Sequence, residues 1–327
     1  MYVYYVYDMR PEGKPDVKLG KDRAAAIARW DEIHNKLPRI RGTLEEAFSR
    51  WEEEKLPKYD NAGTRRTYGQ NLKELRKTFA RSTWDAVKLP HLVKYLEFRK
   101  AKTQANREVA LLSVIWNQAR LWGMTAVPFP AHGMKRAKWK NPEGVRRFKV
   151  TTELFELVYS VAEPMLRDCM DLSTATGMRL TDCRTIELPP DNVLRLDASK
   201  TGKEADFDLA LSEVLPELLK RRRRLREASD GLDHARLLTM PDGSEVTEAK
   251  LRGAYDRARD RAYVIASIWN DDALARGVRS MWLRDMRKRA SDLAADDEAA
   301  SKLLQHSSVA LTRKHYRTDP PKLRPVR

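Results

Sequence analysis

A chain of 327 residues, 42% hydrophobic and 34% charged with eight tryptophans, is long enough for two domains with cores of their own and too apolar to be disordered. Its longest apolar runs fall far short of the ~18 residues that a membrane span needs. The N-terminal MYVYYVYDMRPEG has neither the basic flank nor the cleavage site of a signal peptide, so a cytoplasmic protein is expected. The net charge of +16 favours a polyanionic partner, and two cysteines fourteen residues apart, Cys169 and Cys183, offer neither a disulfide framework nor a zinc site and read as small core residues.

The charge is unevenly spread. Residues 42–150 hold 23 basic and 11 acidic side chains, a net +12, against +3 for residues 1–41 and +1 for residues 151–327. Such a block has the electrostatic footprint of a nucleic-acid-binding module, with a solvated basic surface as the plainer reading.

In chain order, YVYYVY (2–7) is β-prone, a second short strand is expected around Val17–Leu19, and a helix follows from about Asp22 to Asn35. Residues 1–41 thus form a small strand-plus-helix unit, too small to bury much alone. From Thr43, a potential N-cap, helical spacing takes over: Leu44, Ala47, Phe48 and Trp51 define one helix, and Tyr68, Leu72, Leu75 and Phe79 a second. Pro90 begins a third with Leu92, Tyr95 and Leu96 inward. The fourth runs from about Gln104 to Trp122, turns Val109, Leu112, Trp116 and Ala119 inward, and stops at Gly123. Residues 42–135 therefore predict a basic four-helix bundle, in which Arg65, Arg66, Arg76 and Lys77 lie mostly off the apolar stripe as candidate phosphate contacts. Residues 136–150 form a linker rich in proline, glycine and cations, where Lys138, Lys140, Arg146 and Arg147 can follow a phosphate backbone.

Residues 151–327 predict an α-rich unit with a small sheet: helices at about 152–162 and 164–176, a hairpin at Val193–Leu211 turning at Lys200-Thr-Gly-Lys, and further helices. The run KRRRRLRE (220–227) continues a helix begun by Val214, Leu215, Leu218 and Leu219. Its arginines read as a solvated face or as phosphate contacts.

Four islands in this unit are read together: ATGMRLTDCRTIEL (175–188), DASKTGKEADFDLAL (197–211), RDMRKRASDLA (284–294) and LLQHSSVALTRKHY (303–316). Alone, Tyr316 on the stripe Val309, Thr312/Arg313 is a packing residue, and either arginine a surface ion pair. In this order and spacing the islands resemble the tyrosine recombinase (phage integrase) family. There a TGxR-type box gives the first arginine, a β-hairpin the lysine and an HxxR box the second arginine. An LGH-like motif gives a histidine, and the nucleophilic tyrosine comes nine or ten residues later.

The positions that match are Arg179, Lys200, Arg287, His306 and Tyr316. Asp182 falls where the family has a supporting carboxylate, and Arg284 stands at the HxxR histidine. The resemblance implies a mainly α fold with a small β-sheet: a helical, SAM-like core-binding domain at 42–135 and an α+β catalytic domain at 151–327, forming a C-shaped clamp on DNA. It makes residues 1–41 a short arm-type DNA-binding-like unit.

It also implies a site-specific DNA recombinase, an integrase or excisionase of a phage or mobile element, acting as a homotetramer on double-stranded attachment sites. Directionality or DNA-bending factors would accompany it, and no cofactor or metal is required. The chemistry suits the residue types. Two guanidiniums hold the nonbridging oxygens of a phosphodiester by forked hydrogen bonds, and Tyr316 forms a 3′-phosphotyrosyl link. Lys200, with Lys203 as second choice, protonates the leaving 5′-oxygen, His306 donates to a nonbridging oxygen, and Asp182 supports the arginines.

The departure is Arg284, which cannot accept the proton of Tyr316. Its expected contribution is positive charge or a phosphate contact. The competing readings are a type IB topoisomerase-like strand transferase and a catalytically weak or inactive DNA-binding relative.

Overall fold

A computed structural model describes residues 4–10, 15–34, 42–228 and 235–318. The chain divides into two compact units, Met1–Gly144 and Val145–Arg327.

The first unit opens with a two-stranded antiparallel ribbon, β1 (Tyr5–Tyr7) and β2 (Val17–Gly20), with Tyr7 opposite Val17. Helix α1 (Arg23–His34) packs on it. Four helices follow: α2 (Leu44–Glu54), α3 (Ala62–Phe79), α4 (Leu89–Phe98) and α5 (Lys102–Leu121). The apolar stripes read from spacing are the buried faces. Leu44, Phe48, Trp51, Leu72, Leu75, Leu92, Trp116 and Ala119 are all fully or nearly fully buried, as helical periodicity requires of a bundle. Thr43 sits at the N-cap of α2, but its side chain makes no capping bond. The first amides of α2 instead donate to the carbonyls of Ser82 and Ala80, because the turn after α3 lies against this helix end and satisfies its orphan donors.

Several cations expected on phosphates have internal partners here. Arg76, a candidate phosphate contact, donates to Glu45 at 3.1 Å and to Glu52 at 2.6 Å, because the Glu45 side chain is only 8% exposed and needs a counter-charge. Arg65 donates to the carbonyls of Tyr59 and Asp60, and Lys77 pairs with Glu74 at 2.6 Å. Arg66, Lys138 and Lys140 are exposed.

The second unit contains α6 (Thr152–Ser160), α7 (Pro164–Thr176), α8 (Leu180–Thr185), the antiparallel hairpin β3 (Val193–Asp197) and β4 (Glu204–Asp208), and α9 (Leu215–Ala228). After them come α10 (Glu248–Ile268), α11 (Asp272–Ser280), α12 (Met286–Leu293), α13 (Asp297–Leu303) and α14 (Val309–His315). The hairpin pairs Val193 with Asp208 through to Asp197 with Glu204, so the Lys200–Lys203 segment forms its tip. Helix α7 lies in the core, with Leu166, Cys169, Met170 and Leu172 fully buried, and Cys183 of α8 is buried as well.

In the run of α9, Lys220, Arg221, Arg224 and Arg226 are exposed, as a solvated face requires, but three of the arginines also hold partners within their own unit. Arg222 is 5% exposed, pairs with Asp168 of α7 at 2.7 Å and donates to the carbonyl of Thr239. Arg221 reaches Asp168 at 2.5 Å, and Arg223 donates to the carbonyls of Pro189, Pro190 and Asp191. Asp168 is 3% exposed, so Asp168→Ala strands the buried Arg222 charge. It is expected to cost about 3 kcal/mol of unfolding free energy, measured as a drop in the urea midpoint at unchanged slope.

Among the described residues no helix is long and apolar enough to cross a membrane, and no group of His, Cys, Asp and Glu is arranged to hold a metal ion.

Candidate active site

Arg287 stands at the centre of the site. It lies in α12, is 8% exposed, and spends two of its N–H groups on backbone carbonyls: Nη1 donates to Gly177 and Nη2 to Leu304 at 2.6 Å. One buried guanidinium thereby ties together the TGMR box, its own helix and the LLQH segment. Its Nε is buried with no hydrogen-bond partner among the described residues. Burial and the neighbouring Arg179 charge push the Arg287 pKa down.

Gly177 ends α7 at φ +66°, the left-handed conformation that lacks a steric cost only for glycine. A Cβ there would lie 2.8 Å from Leu304 Cδ2, so this glycine also permits the LLQH segment to approach. Arg179 follows at the N-cap of α8, its guanidinium 3.8 Å from the Asp182 carboxylate. Asp182 is 2% exposed and accepts from both the amide and the hydroxyl of Ser199, at 3.2 and 2.5 Å. This carboxylate therefore fastens one foot of the hairpin tip as well as facing Arg179.

Tyr316 is half-buried at the C-cap of α14, its amide donating to Thr312 O at 2.9 Å. Its ring centre lies 5.6 Å from the Arg287 guanidinium and 4.5 Å from the His306 ring. Residues on both sides of it are held within the same unit. Arg313 and Arg317 both pair with Asp297, and Thr318 bonds Asp292 through its amide at 3.0 Å and its hydroxyl at 2.8 Å. The expectation that the tail RTDPPKLRPVR docks onto a neighbouring protomer, as the resemblance implies, falls from residue 319 onward outside the described residues.

His306 Nδ1 is 2.7 Å from Oγ1 of the fully buried Thr312. Burial pushes the imidazole pKa down to about 4, with the charges of Arg287, Arg179, Lys203 and His315 acting in the same direction. The ring is thus neutral at pH 7. The folded value lies below the ordinary 6.5, so the unfolded chain takes up the proton first. This group's contribution to stability is complete above about pH 6.5 and is lost as pH falls through about 4. Histidine ring NMR is expected to show His306 titrating near 4; a midpoint near 6.5 contradicts the buried, cation-flanked placement.

The structure thus brings together Arg179, Asp182, Arg287, His306 and Tyr316. Lys200 and Lys203 are both exposed on the hairpin tip, and Lys203 Nζ donates to Gln305 O at 3.1 Å. Arg284 is exposed and points elsewhere: its guanidinium lies 3.9 Å from the Trp282 ring centre, with Arg146 4.0 Å from the same ring. Arg146, expected on a phosphate, instead donates to Asp285 at 2.7 Å and to Ser280 O at 2.6 Å, because Asp285 is 1% exposed and needs a cation. Arg147 beside it is exposed. Sequence reasoning placed Thr312 on a packing stripe but missed its bond to His306, and it missed Asp285 and the Arg317–Thr318 anchor, whose only local signal was polarity.

No protein-family model and no curated protein matches the chain. Solved structures do. A lambda integrase dimer bound to a COC′ core site aligns at TM-score 0.65 and 17% identity, covering 99% of this chain and 95% of that one. A lambda integrase tetramer bound to a Holliday junction aligns at 0.65 and 19%, covering 98% and 95%. The Tn1549 transposon integrase in complex with a circular intermediate DNA aligns at 0.58 and 12%, covering 83% and 94%. At these identities the likeness is one of fold.

Proposed function

We propose that this chain, which has the fold of the tyrosine recombinases, is a site-specific DNA recombinase that cleaves and rejoins strands through Tyr316. The observation that carries this reading is the junction at Arg287, where three sequence-distant islands meet around a half-buried tyrosine.

In this mechanism Arg179 and Arg287 neutralise the nonbridging oxygens as charge accumulates on them. The Tyr316 oxygen attacks phosphorus, the bond to the 5′-oxygen breaks, and Lys200 delivers a proton to that oxygen. The phosphotyrosyl link conserves the energy of the broken bond, so another strand's 5′-hydroxyl reverses the step without a nucleotide or metal. With the Thr312 hydroxyl donating to Nδ1, the neutral His306 keeps its proton on Nε2 and donates to a phosphate oxygen. Arg284 adds positive charge outside this cluster, and water receives the phenolic proton. A homotetramer working on two duplexes, and an origin in a phage or mobile element, follow the same reading. The first is supported by the tetramer on a Holliday junction named for lambda integrase, and the second by the transposon named for the Tn1549 integrase.

The test is covalent capture. The full chain is incubated with a library of nicked duplexes of random core sequence, and protein-linked DNA is recovered after denaturation. A 3′-phosphotyrosyl peptide containing Tyr316 is expected. DNA binding without any adduct would show an inactive relative, and relaxation without exchange between two captured sites would show a topoisomerase.

A further inference from the structure

The hairpin tip is fastened at both feet. On the β3 side, Ser199 bonds Asp182. On the β4 side, Lys203 Nζ donates to the carbonyl of Gln305. Between these feet Lys200, Thr201 and Gly202 form a turn closed by the Thr201 and Gly202 amides on Ala198 O. Gly202 is at φ +59°. Lys200 is therefore the free cation on a tip whose two ends are bonded to different walls of the site.

The second foot rests on an unusual residue. Gln305 adopts φ +53°, a left-handed conformation that costs a side-chain-bearing residue energy and persists only where its surroundings impose it. Here the surroundings are visible. The carbonyl just before Gln305 is held by Arg287, its own carbonyl by Lys203, and the next amide, that of His306, donates to Ser301 O at 3.0 Å. The strained residue is thus pinned between the arginine of one box and the lysine of another.

We propose that Lys203 is a positioning residue: its bond to the Gln305 carbonyl locks the hairpin to the His306 segment and so registers Lys200 with the scissile 5′-oxygen. This rests on the reading of Lys200 as the proton donor. Lys203 gives up no proton; Lys200 does so as the phosphorus to 5′-oxygen bond breaks and the tyrosyl bond forms. The charge of Lys203 also faces His306 and contributes to keeping that ring neutral.

The test uses the full chain, a captured duplex, and the same duplex with sulfur in place of the bridging 5′-oxygen. A thiolate leaves without protonation, so this substrate has no need of an acid. Lys203→Met is expected to slow cleavage of the oxygen substrate by about 10- to 100-fold, the usual consequence of a misplaced catalytic group. The sulfur substrate should restore the rate, as it should for Lys200→Met. Lys203→Arg keeps a donor for Gln305 but is no proton donor at neutral pH, and should stay within about threefold of the parent chain.

Lys203→Met cleaving at the parent rate, or remaining slow on sulfur, would overturn the proposal. So would Lys203→Arg proving as slow as Lys203→Met, which would make Lys203 itself the acid. Amide exchange gives a readout without DNA: Lys203→Met should speed exchange at Ala198, Thr201 and Gly202 by about 3- to 10-fold, the factor expected for losing one hydrogen bond. Unchanged exchange would overturn the lock even if the parent chain cleaved no duplex, a result that would count separately against the recombinase reading.

Discussion

Tyr316→Phe should leave DNA binding intact and abolish the covalent adduct, with strand cleavage falling by on the order of 10⁴-fold or more. The substitution removes one oxygen. The ring keeps its place beside His306 and near Arg287, the backbone bond to Thr312 is untouched, and Arg317 and Thr318 still anchor the chain just beyond it. Stability should therefore move by less than ~1 kcal/mol. Denaturing gels of the captured duplex check the first expectation and thermal unfolding the second. An adduct that survived in the phenylalanine variant would place the nucleophile elsewhere.

Arg287→Lys is expected to be nearly as damaging, for two separable reasons. A lysine keeps the charge but loses the fork, so a phosphate loses a bidentate donor aimed at its developing charge. Single-turnover cleavage should fall by about 10²- to 10³-fold. A lysine also lacks the geometry to serve the Gly177 and Leu304 carbonyls together. Leaving one buried acceptor unpaired should cost about 1–3 kcal/mol, seen as a lower denaturant midpoint. A variant that kept parental stability would show that the two carbonyls find other partners.

What could be read before the structure follows from the range of the forces involved. The stripe Leu44, Ala47, Phe48, Trp51 is a local pattern, and burial of an apolar helix face needs no knowledge of its partner. The same holds for the hairpin, whose turn at Lys200–Lys203 and flanking alternation lie within twenty residues.

The motif residues Arg179, Arg287, His306 and Tyr316 were named from their order along the chain, and their convergence required the fold. Charged pairs were not legible. Arg146 with Asp285 spans 139 residues and Arg76 with Glu45 spans 31, and a cation's local sequence does not say whether a carboxylate waits for it. Lys203 was illegible for the same reason. The two lysine positions of SKTGK look alike, and only the placement of Gln305 separates the one that is tethered from the one that is free.

The arginine run of α9 has a consequence for how the chain meets a polyanion. Binding to DNA draws on the release of condensed counterions, and only cations that can reach the phosphates displace them. Arg221 and Arg222 already face Asp168, and Arg223 is committed to three carbonyls. The formal +16 already subtracts Asp168, but these three arginines are less available to a duplex than a count of the run suggests. Affinity should decline less steeply with salt than if the whole run lay on phosphates, because KRRRRLRE has three of its arginines occupied in holding its own domain together.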